Sequence, residues 1–72
     1  MNIPEMHFVE SRAIEMLGYD EADAVLCVMY KGGATYGYQG VSLFEYEQLL
    51  ASDSKGLYIN TVIKPMYPAF QF

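Results

Sequence analysis

The stretch that most restricts the fold lies in the middle of the chain. Residues 24–30 read Ala-Val-Leu-Cys-Val-Met-Tyr, followed by Lys31-Gly32-Gly33 and then by Ala-Thr-Tyr-Gly-Tyr-Gln over 34–39. An apolar, β-branched run that is hydrophobic at both odd and even positions suits a strand in the middle of a sheet, covered on both sides. Glycine reaches positive φ without a steric penalty, so the Gly-Gly pair predicts a tight turn, and the two runs read as a hairpin. Leu26, Val28 and Tyr30 then share one face, and Tyr36 and Tyr38 must point the same way. Upstream, residues 11–19 alternate well enough for another strand, with Ile14 and Met16 on one side and Ala13, Glu15 and Leu17 on the other. Asp20-Glu21-Ala22-Asp23 supplies a polar turn whose carboxylates can accept from nearby backbone N–H groups. Both connections are too short for a crossover helix, which predicts a three-stranded antiparallel β-meander.

Beyond Gly40 the period changes. Ser42-Leu43-Phe44-Glu45 fits a capping box, and Leu43, Tyr46 and Leu50, widened by Phe44 and Leu49, form the stripe of an amphipathic helix ending near Ala51 or Ser52. Asp53 or Ser54 can cap a second helix, with Tyr58, Ile59, Val62 and Ile63 as its apolar side and Pro65 as its stop. The expected architecture is therefore α+β: a three-stranded antiparallel meander followed by two short helices packed on one face of the sheet. Residues 1–10 lack a clean period and read as an N-terminal arm. Residues 68–72 read as an aromatic C-terminal tail that docks on the body, because leaving it in water exposes a sizeable apolar patch.

A chain of 72 residues holds one core, and a core of that size typically supplies only about 3–5 kcal/mol without a staple. Cys27 is the only cysteine and His7 the only histidine, so neither an intrachain disulfide nor a metal site is expected. Self-association is the remaining aid, and a homo-oligomer is expected. The chain shows no secretory leader and no apolar run long enough to span a bilayer, which points to a cytoplasmic protein with no membrane partner. Nine acidic residues against Arg12, Lys31, Lys55 and Lys64 give a net charge of −5, which disfavours a long polynucleotide but leaves room for a small anion held at one point.

Ser54-Lys55-Gly56 opens the second helix, where a hydroxyl, an ammonium and unpaired backbone N–H groups can hold a phosphate or a carboxylate; the same three residues can also be a plain cap. Arg12 can add a fork-shaped contact to phosphate, and Lys64 further positive charge. Tyr36 and Tyr38 offer rings on which a base can stack, or they serve the core. Asn60 and His7 are weaker candidates. No Ser/His/Asp or Cys/His constellation appears, Cys27 sits between Leu26 and Val28 as a small hydrophobe, and no enzymatic activity or cofactor is expected.

The pattern Ser11-x-x-Ile14, Gly18-Tyr19-Asp20, Leu26-x-Val28, Gly33-x-x-Tyr36-x-Tyr38, Gly40-Val41, Leu49 and Ser54-Lys55-Gly56-x-Tyr58-x-Asn60 resembles the KTSC domain across residues 11–67. The resemblance implies a small sheet followed by helices. It also implies a link to RNA, since such domains occur alone in bacterial and phage proteins and at the C-terminus of some lysyl-tRNA synthetases. A free-standing, acidic, aromatic-rich copy is similar to small phage proteins that sequester nucleotide signals of host defence. The expectation is a non-enzymatic binding protein for a small phosphorylated ligand, such as a nucleotide or short cyclic oligonucleotide, with Ser54, Lys55, Gly56, Arg12, Tyr36, Tyr38, Asn60 and Lys64 as its site. An RNA-binding module and a protein–protein interaction module acting through the tail are the alternatives.

Overall fold

The computed structural model describes residues 3–72; the first two residues of the expected arm lie outside the described residues. The sheet has five antiparallel strands, β1 Met6–Phe8, β2 Ile14–Asp20, β3 Val25–Tyr30, β4 Thr35–Gln39 and β5 Ala69–Gln71, in sequential order. The meander expected from the sequence is its centre. The two further strands come from the arm, which pairs with β2 through Met6↔Gly18 and Phe8↔Met16, and from the tail, which pairs with β4 through Gly37↔Phe70. Each is only three residues long, too short to show a period of two.

Both edge strands are fixed by a glycine opposite them. A Cβ built on Gly37 would sit 2.6 Å from the Phe70 ring, and one on Gly18 would sit 2.6 Å from the Glu5 carbonyl oxygen and closer still to the Met6 sulfur. The missing side chains let Met6 and Phe70 lie across the sheet face that carries no helix, over the two glycines that pair with the buried Cys27. Burial pushes the Cys27 thiol up to about 11, with Asp20 adding to the rise.

The register of β2 corrects one expectation. An extra residue between Ile14 and Met16 forms a bulge, so Ile14 faces Tyr30 and Leu17 faces Val28 on the helix side, while Met16 turns to the opposite face beside Met29. Ile14 and Met16 therefore do not share a side.

Helix α1, Leu43–Ala51, starts where Ser42 Oγ accepts from the Glu45 N–H at 3.1 Å, as the capping signal requires. The reciprocal half of the box is absent, because the Glu45 carboxylate turns inward to accept hydrogen bonds from Tyr58 and Tyr67. The inward face is Tyr46, stacked on Tyr19 at 4.9 Å, and Leu49; the expected stripe residues Leu43, Phe44 and Leu50 are exposed. Helix α2, Lys55–Tyr58, runs without a break into a π-helical turn, Ile59–Ile63, and a last turn, α3 Lys64–Met66. Pro65 was expected to stop this helix and instead lies inside its final turn. The widened π turn immediately before it is where a proline can be accommodated, since its ring clashes with the carbonyl four residues back in a regular α-helix. Ile59 and Ile63 project from the wide turn into a core made with Ile14, Leu17, Leu26, Val28, Tyr38, Val41 and Leu49. Among the described residues no helix is long and apolar enough to cross a membrane, and no group of metal-ligating side chains gathers.

Candidate functional site

Two clefts open beside the helical stretch 55–66. The first, of about 490 Å³, is lined by Glu10, Ser11, Arg12 and Ala13 from the entry to β2 and by Asp53, Ser54, Lys55, Gly56, Leu57 and Asn60 from the start of the helical stretch. Its two walls meet where a Cβ on Gly56 would touch Ala13 Cβ and Ser11 Oγ at 3.8 Å. Ser11 shapes one wall, its hydroxyl accepting from the Ala13 and Ile14 N–H groups at 3.3 and 3.2 Å. Ser54 shapes the other by accepting from Leu57 N–H at 3.3 Å, so its cap role is occupied. Lys55 donates to the Ser52 carbonyl at 3.0 Å, which ties its ammonium to the end of α1. The cleft thus combines the cations of Arg12 and Lys55 with the carboxylates of Glu10 and Asp53, a balance that suits a small ligand carrying both an anion and hydroxyl groups rather than a polyanion.

The second cleft, of about 380 Å³, is lined by Tyr30, Tyr36, Tyr38, Lys64, Tyr67 and Ala69. Strands β3 and β4 place the first three tyrosines on the helix side of the sheet, through the pairs Ile14↔Tyr30, Val28↔Tyr36 and Leu26↔Tyr38. Tyr38 is buried, while Tyr30 and Tyr36 are half-buried and meet edge to face at 5.9 Å. The Tyr30 and Tyr38 hydroxyls share a hydrogen bond of 2.9 Å. Burial first, then that bond, pushes the Tyr30 phenol well above its ordinary value. The Lys64 ammonium lies 5.4 Å from the centre of the Tyr30 ring, a cation–π distance. Tyr67 is held by its hydrogen bond to Glu45 at 3.4 Å; Tyr58 donates to the same carboxylate, and that bond is the main reason its phenol rises to about 12.

The eight residues singled out from the sequence therefore divide. Arg12, Ser54, Lys55, Gly56 and Asn60 come together in the first cleft, and Tyr36, Tyr38 and Lys64 in the second. His7 is exposed on β1 and lines neither. Sequence reasoning missed Tyr30 and Tyr67 as cleft residues. Tyr30 was legible as a face-mate of Leu26 and Val28 at the end of its strand, whereas Tyr67 lies between Pro65 and Pro68 and carries no periodic signal.

The model of the KTSC domain matches residues 10–67. The chain belongs to the KTSC domain family. The crystal structure of a KTSC domain protein from Yersinia pestis superposes with a TM-score of 0.90 at 26% identity, covering 94% of this chain and 96% of that one. A protein of Tsukamurella paurometabola is 44% identical over 64 residues, covering 89% of this chain and 96% of its own length. An uncharacterized protein of Stutzerimonas stutzeri (strain A1501) is 36% identical over 59 residues, covering 82% and 83% respectively. The residues of this KTSC domain that line both clefts, apart from Ala69, fall within the matched segment. The tail strand lies beyond it, yet completes the second cleft through Ala69.

Proposed function

We propose that this KTSC domain protein is a non-enzymatic binding protein for a small phosphorylated ligand of the nucleotide class, held along one flank of the helical stretch 55–66. The observation that carries the reading is the position of Gly56, Asn60 and Lys64. They recur at intervals of four along a continuous helical stretch, so they share one flank, and the polar cleft lies at one end of that flank and the tyrosine cleft at the other. Over that span the helix rises on the order of 12 Å, room for a phosphate at one end and a ring at the other. Arg12 and Lys55 meet the phosphate, Asn60 and the cleft carboxylates take ligand hydroxyls, and Tyr36 supports the ring. Catalysis is not part of this reading, and the protein acts by holding its ligand, as a cytosolic, self-associating sequestering agent.

Native mass spectrometry of the protein purified gently from a bacterial host, followed by denaturation, reports subunit number and any released compound together. The expected result is a stoichiometric phosphorylated molecule. Binding of that compound then falls at least tenfold in Arg12→Ala and Lys55→Ala and is unchanged in Lys31→Ala, a turn residue that lines neither cleft. Equal losses at all three positions would contradict the assignment.

A further inference from the structure

The side chains that line the tyrosine cleft carry charge of one sign. Of its lining residues, Lys64 alone is charged, and none is a carboxylate or a side-chain amide. An ammonium carries three donors and no acceptor. The Tyr67 hydroxyl spends its hydrogen on Glu45, outside the cleft lining. In the Tyr30–Tyr38 pair one hydrogen lies between the two oxygens, which leaves the accepting hydroxyl's own hydrogen free for another partner. The strongest group offered to a ligand is therefore a charged donor, set beside aromatic faces that favour a flat ring.

Resting on the reading above, we infer that the tyrosine cleft selects a purine with an oxo group at ring position 6, as in hypoxanthine, over one with an amine there, as in adenine. The 6-oxo group receives a charge-assisted hydrogen bond from Lys64. An exocyclic amine in the same place sets a donor against the Lys64 ammonium, which is the repulsive half of specificity. Lys64 is the specificity-determining residue. Tyr30 positions it by cation–π contact, and Tyr38 holds Tyr30 through the shared hydroxyl bond. The wall made by Ala69 places this selectivity partly in the hands of the tail strand.

Inosine and adenosine 5′-monophosphate share phosphate and sugar and differ at the oxo or amino group of the ring, so they are the probes. Calorimetric titration of the full chain is expected to give inosine monophosphate at least about tenfold tighter binding than adenosine monophosphate, the scale of one well-placed base contact. Lys64→Met keeps the side-chain stem and removes the charge. It is expected to bring the ratio of the two affinities close to one, with circular dichroism confirming the fold. Equal binding of the two probes to the native chain, or a preference that survives Lys64→Met, overturns the inference while leaving the binding reading intact. Absence of binding by either monophosphate, with phosphate-bearing dinucleotides also failing, overturns both.

Discussion

The two clefts are built from the same helical stretch but stand on different foundations. The polar cleft is assembled from the entry to β2 and the first turn of α2, with Arg12, Asp53, Ser54 and Asn60 exposed, and its shape depends on two serine turns. The tyrosine cleft is an extension of the core: Tyr38 is only 3% exposed, and its walls come from β3, β4, the last helical turn and β5. A site cut into the core is rigid and costly to alter, whereas one at the edge of the fold can change residues without disturbing it. In this protein the tyrosine cleft is pre-shaped by folding, and the polar cleft is free to be tuned.

The widest separation between the two is expected in stability. Tyr38→Ala removes a core ring and its hydroxyl bond to Tyr30 and should lower the unfolding free energy by about 3 kcal/mol. Arg12→Ala should change it by less than about 0.5 kcal/mol. Denaturant melts of the two variants check this, and similar losses would erase the distinction. Next in size is Gly37→Ala, which drives a methyl into the Phe70 ring and should cost roughly 1–3 kcal/mol through overpacking. Because Phe70 and Ala69 belong to the same short strand, binding of a nucleoside monophosphate should weaken in this variant more than binding of inorganic phosphate.

The smallest effect expected is a pH response from the Glu45 clamp that holds Tyr58 and Tyr67. Hydrogen bonding to Glu45 raises the Tyr58 phenol from 10.0 to about 12, so the protonated form is the one the fold favours. The stabilisation is fully present below the unfolded value near 10 and is lost as pH rises through about 12. Tyr58→Phe should flatten the alkaline limb of a stability-against-pH curve, and an unchanged limb would show that the Glu45 clamp contributes nothing there.

How much of this was legible in the sequence follows the same division. The central hairpin, the Ser42 cap and the grouping of Ser54-Lys55-Gly56 announce themselves by local chemistry, which is strong wherever glycine, serine or a β-branched run recurs at a fixed spacing. The strands at the two edges are hidden because three residues cannot display alternation, and their partners, Gly18 and Gly37, act by lacking a side chain. The bulge between Ile14 and Met16 inverts the face of Met16 without any glycine to mark it. Pro65 misleads because the π turn before it accommodates a residue that normally ends a helix. The tyrosine cleft draws on four separate segments, so only its adjacent pair Tyr36 and Tyr38, and Lys64, could be singled out beforehand. That these residues fall into two clefts rather than one depends on which strands and loops pack along the helix flank, and the four-residue spacing of Gly56, Asn60 and Lys64 does not declare it.

The central claim is that one ligand occupies both clefts. Amide chemical shifts followed by NMR during titration of the intact chain with inosine 5′-monophosphate test it directly. The account predicts that Gly56 and Asn60 at the polar end and Tyr36, Lys64 and Ala69 at the tyrosine end shift along a single saturation curve. Shifts confined to one end, or two independent curves, would contradict it.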